Sequence, residues 1–319
     1  MFPHNDRQRQ RILAAIKPTQ RGLPLPALRA REFAQRLDAE ILLVSVLFDS
    51  VIARGLEGAA ALETVAKTRL LEEQRLELEQ IAQSLRDWGA AVTVRVVWDA
   101  AAYRGILRVA NEWQATLLVV GAHEQRTMLP ASLTDTHWRL IHACPCPLWL
   151  VKSSASVEHR TILAAVDPSR VQSAAVSRDV LQAARLFGKA LDCQVRAVHA
   201  FPDPSNFALV SSVEVSPGIF YGTENIAALH RRAVEDLANG YGIDSSHTDV
   251  REGEPAAVIA QLMMEHDVRL IALGLSRQGV VEQVVLGSIT QSVTSEALCD
   301  VLLLPQPADS RPNRDAAAR

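Results

Sequence analysis

At 319 residues, 48% of them apolar, the chain has room for about two domains of ~150 residues with a buried core in each. A formal net charge of −3, with 33 Lys+Arg against 36 Asp+Glu, excludes the basic excess of a nucleic-acid binder. Four cysteines in no disulfide-rich pattern, a polar amino-terminal stretch, and no apolar run near the ~20 residues of a membrane span point to a cytoplasmic protein.

One unit is written twice. Ile12-Leu13-Ala14-Ala15-Ile16-Lys17-Pro18 recurs as Ile162-Leu163-Ala164-Ala165-Val166-Asp167-Pro168, an offset of 150 (162 − 12). Cys146-Pro147-Leu148-Trp149-Leu150-Val151 recurs as Cys299-Asp300-Val301-Leu302-Leu303-Leu304, an offset of 153 (299 − 146). A period this long marks a duplicated domain rather than a solenoid. The units are expected over residues 1–152 and 157–305. A small polar hinge, Ser153-Ser154-Ala155-Ser156, lies between them, and a tail without apolar periodicity, 306–319, is expected to be disordered.

In the first unit residues 12–16 read as a buried strand, 24–37 as a helix and 40–48 as a second strand. Residues 62–88 form a long half-exposed helical pattern with apolar positions at Leu70, Leu71, Leu76, Leu78, Ile81 and Leu85. Then come a strand at 92–97, a helix at 101–113, a strand at 117–120, a helix at 136–143 and a strand at 148–151. The second unit repeats the order. Strands are predicted at 161–166, 195–201, 248–252, 270–273 and 301–304, and helices at 174–191, 227–238 and 255–266. Strands alternating with helices imply a parallel, right-handed βαβ sheet, whose ligands bind beyond the carboxyl ends of the strands.

That end of the second unit carries the candidate site. The strand at 270–273 is closed by Gly274, where a glycine permits positive φ and close approach of a ligand. Gly287-Ser288 opens a helical pattern through Ile289, Val293 and Ala297, and free N–H groups with the helix dipole there favour an anion. Asp167 stands just past the first strand of the unit. It reads as a ligand contact or as a turn aspartate, since Asp-Pro-Ser is also turn chemistry.

These residues resemble the universal stress proteins, and the resemblance spans about 11–305. ATP-binding members carry Gly, two residues, Gly, nine residues, then Gly with Ser or Thr. Gly274 fits the first glycine and Gly287-Ser288 the last pair, 13 residues on (287 − 274), while Arg277 replaces the second glycine with a charged fork. In the first unit Gly121 remains, but Glu124, Thr134 and Asp135 fill the other places and Lys17 stands where Asp167 would. The end of that unit, Thr134-Asp135-Thr136-His137-Trp138, then Cys144-Pro145 and Pro147-Leu148-Trp149, is similar to the tandem members of the family.

The resemblance implies an α/β fold of two tandem Rossmann-like, adenine nucleotide alpha hydrolase-like domains. Each is a five-stranded parallel sheet with helices on both faces. It implies a cytoplasmic stress-response protein that binds ATP or a related nucleotide through Asp167, Gly274, Arg277, Gly287 and Ser288, with unit one as internal dimer partner. Strands 148–151 and 301–304 are expected to pair within the chain, which leaves a homodimer of whole chains, or another protein partner, open.

An enzyme is not expected. There is no Gly-x-Ser-x-Gly elbow, P-loop or acid–base–nucleophile trio, although slow ATP hydrolysis stays open. His142, Cys144 and Cys146 lack the second ligand pair of a zinc site. Two further readings stand beside the nucleotide: a lipid-like or nucleotide-sugar ligand near the apolar loop 202–226, and a scaffold that binds nothing small.

Overall fold

The computed structural model describes residues 9–18, 22–54, 60–122, 133–152, 158–169, 171–201, 223–275 and 288–305. The hinge, the tail, Glu124, Arg277, Gly287 and loop residues 202–222 lie outside them.

The first unit contains β1 (Gln10–Ala15), α1 (Leu25–Ala34), β2 (Ala39–Leu47), α2 (Ser50–Arg54), α3 (Ala60–Arg86), β3 (Ala91–Trp98), α4 (Ala102–Glu112), β4 (Leu117–Gly121), α5 (Asp135–Ala143) and β5 (Leu148–Val151). The second contains β6 (Thr161–Ala165), α6 (Val171–Leu191), β7 (Gln194–Phe201), α7 (Thr223–Asn239), β8 (Thr248–Glu252), α8 (Pro255–Glu265), β9 (Val268–Gly274), α9 (Ser288–Glu296) and β10 (Asp300–Leu304). The short helix α2 and the first turn of α7 are not signalled by apolar periodicity.

Among the described residues ten strands form one sheet in the order β3-β2-β1-β4-β5-β10-β9-β6-β7-β8. Pairing is parallel within each unit. The one antiparallel seam is β5 against β10, with Val301 opposite Leu150, Leu302 opposite Trp149 and Leu303 opposite Leu148. Two edges that would otherwise be open to other strands are thereby closed within the chain.

Strand parity builds two cores. Side chains alternate across a strand, so Ile12 and Ala14 face one layer and Leu13 and Ala15 the other. The first layer packs under Phe33 of α1, Leu78 of α3, Phe187 of α6 and Val234 of α7. The second packs under Ile106 of α4, Leu140 of α5, Ile259 of α8 and Val293 of α9. Each layer runs through both units, which makes the halves one sandwich.

One sequence expectation fails. Leu76, placed on the buried stripe of α3, is 51% exposed, whereas Leu78, Ile81 and Leu85 are buried. The stripe follows Gln74, Leu78, Ile81 and Leu85, at spacings of four, three and four. A residue two positions from Leu78 falls about 200° round the helix, on the solvent side.

The seam is also held by ionised groups. Asp300, fully buried, accepts from Arg29 Nε at 3.0 Å, Trp149 Nε1 at 3.2 Å and the Lys152 backbone N–H at 2.9 Å. Arg29 also faces Glu32 at 3.5 Å, and Glu32 accepts from Arg269 of the second unit at 2.5 Å. The Lys152 ammonium donates to the Thr294 and Ala297 carbonyls at the end of α9, a favourable place for a cation. Burial still holds its pKa down to about 8. Beside these charges Trp149, Phe33 and Phe187 form an aromatic cluster with centroids 4.3–6.0 Å apart, Trp149 edge-on to both phenylalanines and the two phenylalanines tilted against each other.

Candidate functional site

In each unit the chain leaves its first strand in opposite directions across the sheet, so a crevice opens at the carboxyl ends between β1 and β4, and between β6 and β9. This topological switch point is where open α/β sheets take ligands.

In the second unit Asp167 sits at that point. Its N–H donates to Ser177 Oγ of α6 at 2.9 Å. Its Oδ1 accepts from the Ser169 N–H at 3.1 Å and the Ser169 hydroxyl at 2.5 Å. This is the turn chemistry that Asp-Pro-Ser allowed. Among the described residues it employs one carboxylate oxygen, Oδ1.

Gly274 ends β9 as extended backbone and is not among the positive-φ glycines, so the left-handed freedom expected of it is not used. Its lack of a side chain is required by packing instead. A Cβ there would lie 2.0 Å from Val176 Cγ1 of α6. Ser288 is the first residue of α9, as the glycine-serine pattern anticipated. Asp167 and Gly274 thus stand at the carboxyl ends of the adjacent strands β6 and β9, and α9 follows β9 in the chain.

Two histidines escaped the sequence reading. His199, buried in β7, places Nδ1 2.9 Å from the Val166 carbonyl, one residue before Asp167. A carbonyl only accepts, so Nδ1 carries the proton and Nε2 accepts from His230 Nδ1 at 2.9 Å. His230 stacks on Phe201 at 4.7 Å between centroids. The signal was a histidine within the otherwise apolar run 197–201.

Desolvation, reinforced by repulsion from His199 and opposed by Asp167, lowers the His230 pKa. The unfolded chain therefore binds more protons than the folded one below the ordinary histidine value of about 6.5. Stability contributed by neutral His230 is present above that pH and is lost as pH falls through the folded pKa. Thermal melts from pH 7.5 to 5.5 should show a smaller acid loss for His230→Gln than for the parent. Equal losses would show that the ring titrates normally.

The first unit is built differently. Lys17 follows β1 and Gly121 ends β4, its Cβ position 3.1 Å from Pro26 Cγ. The Thr134 N–H donates to His137 Nδ1 at 2.9 Å, so the opposite nitrogen, Nε2, bears the proton and donates to the Gly121 carbonyl at 3.0 Å. This pins the start of α5 to the end of β4. Asp135 in the first turn of α5 pairs with Arg139 at 2.7 Å on the surface.

A cavity of about 700 Å³ opens there. Ile16, Val46, Val120 and Val151 form its floor, and Leu25, Pro26, Ala102 and Ile106 its walls. Lys17, Thr134 and Thr136 are at its polar end. The unit expected to serve only as internal partner therefore holds a sizeable apolar chamber.

Two doubly wound α/β units, joined edge to edge through β5 and β10 and each with its own switch point, define a tandem α/β architecture. The universal stress protein family model matches residues 8–152 and again 158–305, and the chain belongs to that family. Universal stress protein E of Escherichia coli K12 is 23% identical over 300 residues, covering 92% of this chain and 93% of the relative. The protein of the same name from Photorhabdus laumondii is 24% identical over 234 residues, 71% of this chain and 73% of that one. A universal stress protein structure from Archaeoglobus fulgidus covers 94% of this chain and 100% of its own, with a TM-score of 0.65 at 17% identity, a likeness of fold. Among the described residues no helix is long and apolar enough to cross a membrane.

Proposed function

We propose that this universal stress protein is a non-enzymatic, cytoplasmic regulator that binds an adenine nucleotide, ATP or a close relative, in its second unit. One observation carries the reading: Asp167 follows β6 and Gly274 ends β9, two adjacent parallel strands at the switch point, and α9 opens next along the chain after β9. Asp167 contacts the adenosine part, and the opening turn of α9, with its N–H groups and positive dipole end, receives phosphate. Arg277 and Gly287 complete the site in this proposal. Occupancy then alters the surface offered to a protein partner.

Calorimetry of the whole protein with ATP, ADP and AMP tests this. One nucleotide should bind per chain, and Asp167→Ala should weaken it about tenfold, the loss of one good hydrogen-bonding contact. No saturable heat with any of the three, or undiminished binding by Asp167→Ala, would remove the nucleotide and favour a different ligand or a scaffold.

A further inference from the structure

The turn between α5 and β5 brings two thiols together. Cys144 Sγ and Cys146 Sγ stand 3.7 Å apart, and both cysteines are free. Pro145 separates them, and its ring fixes φ at about −65°. Both ends of the turn are fastened. The Cys144 N–H donates to the Leu140 carbonyl at 2.8 Å, and the Pro147 carbonyl accepts from the Leu118 N–H at 2.9 Å. The other two cysteines have different neighbours. Cys193 Sγ lies 3.5 Å from the Leu191 carbonyl, and Cys299 Sγ lies 3.9 Å from Met263 Sδ.

The duplication supplies a comparison. At the offset of 153, Cys144 and Cys146 fall on Ala297 and Cys299. Ala297 is fully buried ahead of β10, as Cys144 is buried ahead of β5, so a methyl group satisfies the packing at that place. The second sulfur in unit one adds chemistry that the core does not require. Burial pushes the Cys299 thiol up to about 12, which leaves it inert. In unit one the neighbouring Cys144 sulfur, with burial, pushes the Cys146 thiol well up, so Cys146 keeps its proton and donates it to Cys144 Sγ. That leaves Cys144 as the sulfur to react first and Cys146 as the thiol that resolves it. Cys144 and Cys146 retain 7% and 6% exposure, with exposed His142, Ala143 and Pro145 next to them in the chain, an opening suited to a small oxidant.

We propose that Cys144 and Cys146 are a modification site, a dithiol that a hydroperoxide converts reversibly to an intrachain disulfide. Cys144 Sγ attacks one peroxide oxygen, the O–O bond breaks, and the thiol proton leaves with the departing hydroxide as water. The Cys146 sulfur then displaces hydroxide from the Cys144 sulfenic acid, and its own proton completes a second water. Two electrons pass from the sulfurs to the peroxide. The new bond needs a sulfur separation of ~2.05 Å, so the two side chains close on each other across Pro145. A ring spanning one residue is strained, and strained disulfides are the readily reduced ones, so an external dithiol returns both hydrogens. The bond ties the end of α5 to the approach of the seam strand β5. It does not rest on the nucleotide reading.

Hydrogen peroxide, added to the native full chain and quenched with acid, tests the proposal by intact mass and by counting thiols in the unfolded product. The chain should lose two hydrogens and fall from four free thiols to two (4 − 2), and dithiothreitol should restore both. Tryptic digestion without reduction should place the loss within the peptide 140–152, which holds both cysteines. Cys193→Ser should leave the reaction intact. Cys144→Ala, which installs the residue that unit two carries, should abolish it, and the peptide map of the parent decides the matter should that variant not fold. Four thiols surviving peroxide that oxidises free glutathione, oxidation confined to Cys193, a bond between two chains, or oxygen added at Cys144 without a bond to Cys146 would each overturn it.

Discussion

Asp300→Ala should destabilise the protein by about 3–5 kcal/mol, the cost of removing one partner of a buried ion pair. Asp300 is the acceptor on which Arg29, the Trp149 indole and the Lys152 backbone N–H converge. Removing it takes the buried carboxylate from a guanidinium only 2% exposed, which still faces Glu32 at 3.5 Å, and from two N–H donors. The loss is asymmetric in origin. Asp300 belongs to the second unit and its three donors to the first, so the damage falls on the seam. Guanidinium denaturation, read by Trp149 fluorescence and by far-ultraviolet circular dichroism, gives the midpoint shift. Arg29→Met added to Asp300→Ala should recover part of it, because the guanidinium that lost its buried carboxylate is then gone, while the indole and the Lys152 N–H still lack that acceptor. A single-variant midpoint within error of the parent would mean that water or another acceptor replaces the carboxylate.

Much of the architecture was legible because buried parallel strands are short apolar runs, and here each was bounded by Gly, Pro or polar turns and written twice. The β5–β10 pairing was expected from the resemblance to a family whose domains pair through their terminal strands. The charges across the seam were not legible. Nothing in the local sequence singles out Asp300, Arg29, Glu32 or Arg269. Only the antiparallel register places Trp149 and Lys152 around Asp300. Leu76 was misplaced because a 27-residue helix with many apolar positions admits more than one stripe. At the site, the Asp-Pro-Ser turn and the opening of α9 at Ser288 were foreseeable from local chemistry. The His199–His230 contact was not, since it joins a strand to a helix 31 residues apart. Nor was the first-unit cavity, because a void is set by how far helices α1 and α4 stand off the sheet.

Gly274→Ala should cost about 1–3 kcal/mol, although alanine is ordinarily welcome where φ is negative. The added methyl would lie 2.0 Å from Val176 Cγ1 and 3.5 Å from Val180 Cγ2, so α6 must move away from β9. The matching change in the first unit, Gly121→Ala, meets Pro26 Cγ at 3.1 Å, a tight contact relieved by a few tenths of an ångström. That variant should be near neutral, since the entropy removed from the unfolded chain, about 0.4–1 kcal/mol, offsets the strain. Val176→Ala deletes the colliding methyl. The double variant Gly274→Ala/Val176→Ala should therefore recover more stability than the sum of the single effects predicts, a coupling readable from denaturation midpoints. Additive losses would show that the strand and helix do not meet as closely as this. The same helix carries Ser177, whose hydroxyl accepts the Asp167 N–H, so pushing α6 outward also pulls on the turn that presents the carboxylate. On the proposed nucleotide reading, affinity in Gly274→Ala should fall with stability and return in the double variant. A glycine whose role was to let phosphate approach the backbone would instead leave affinity low in both.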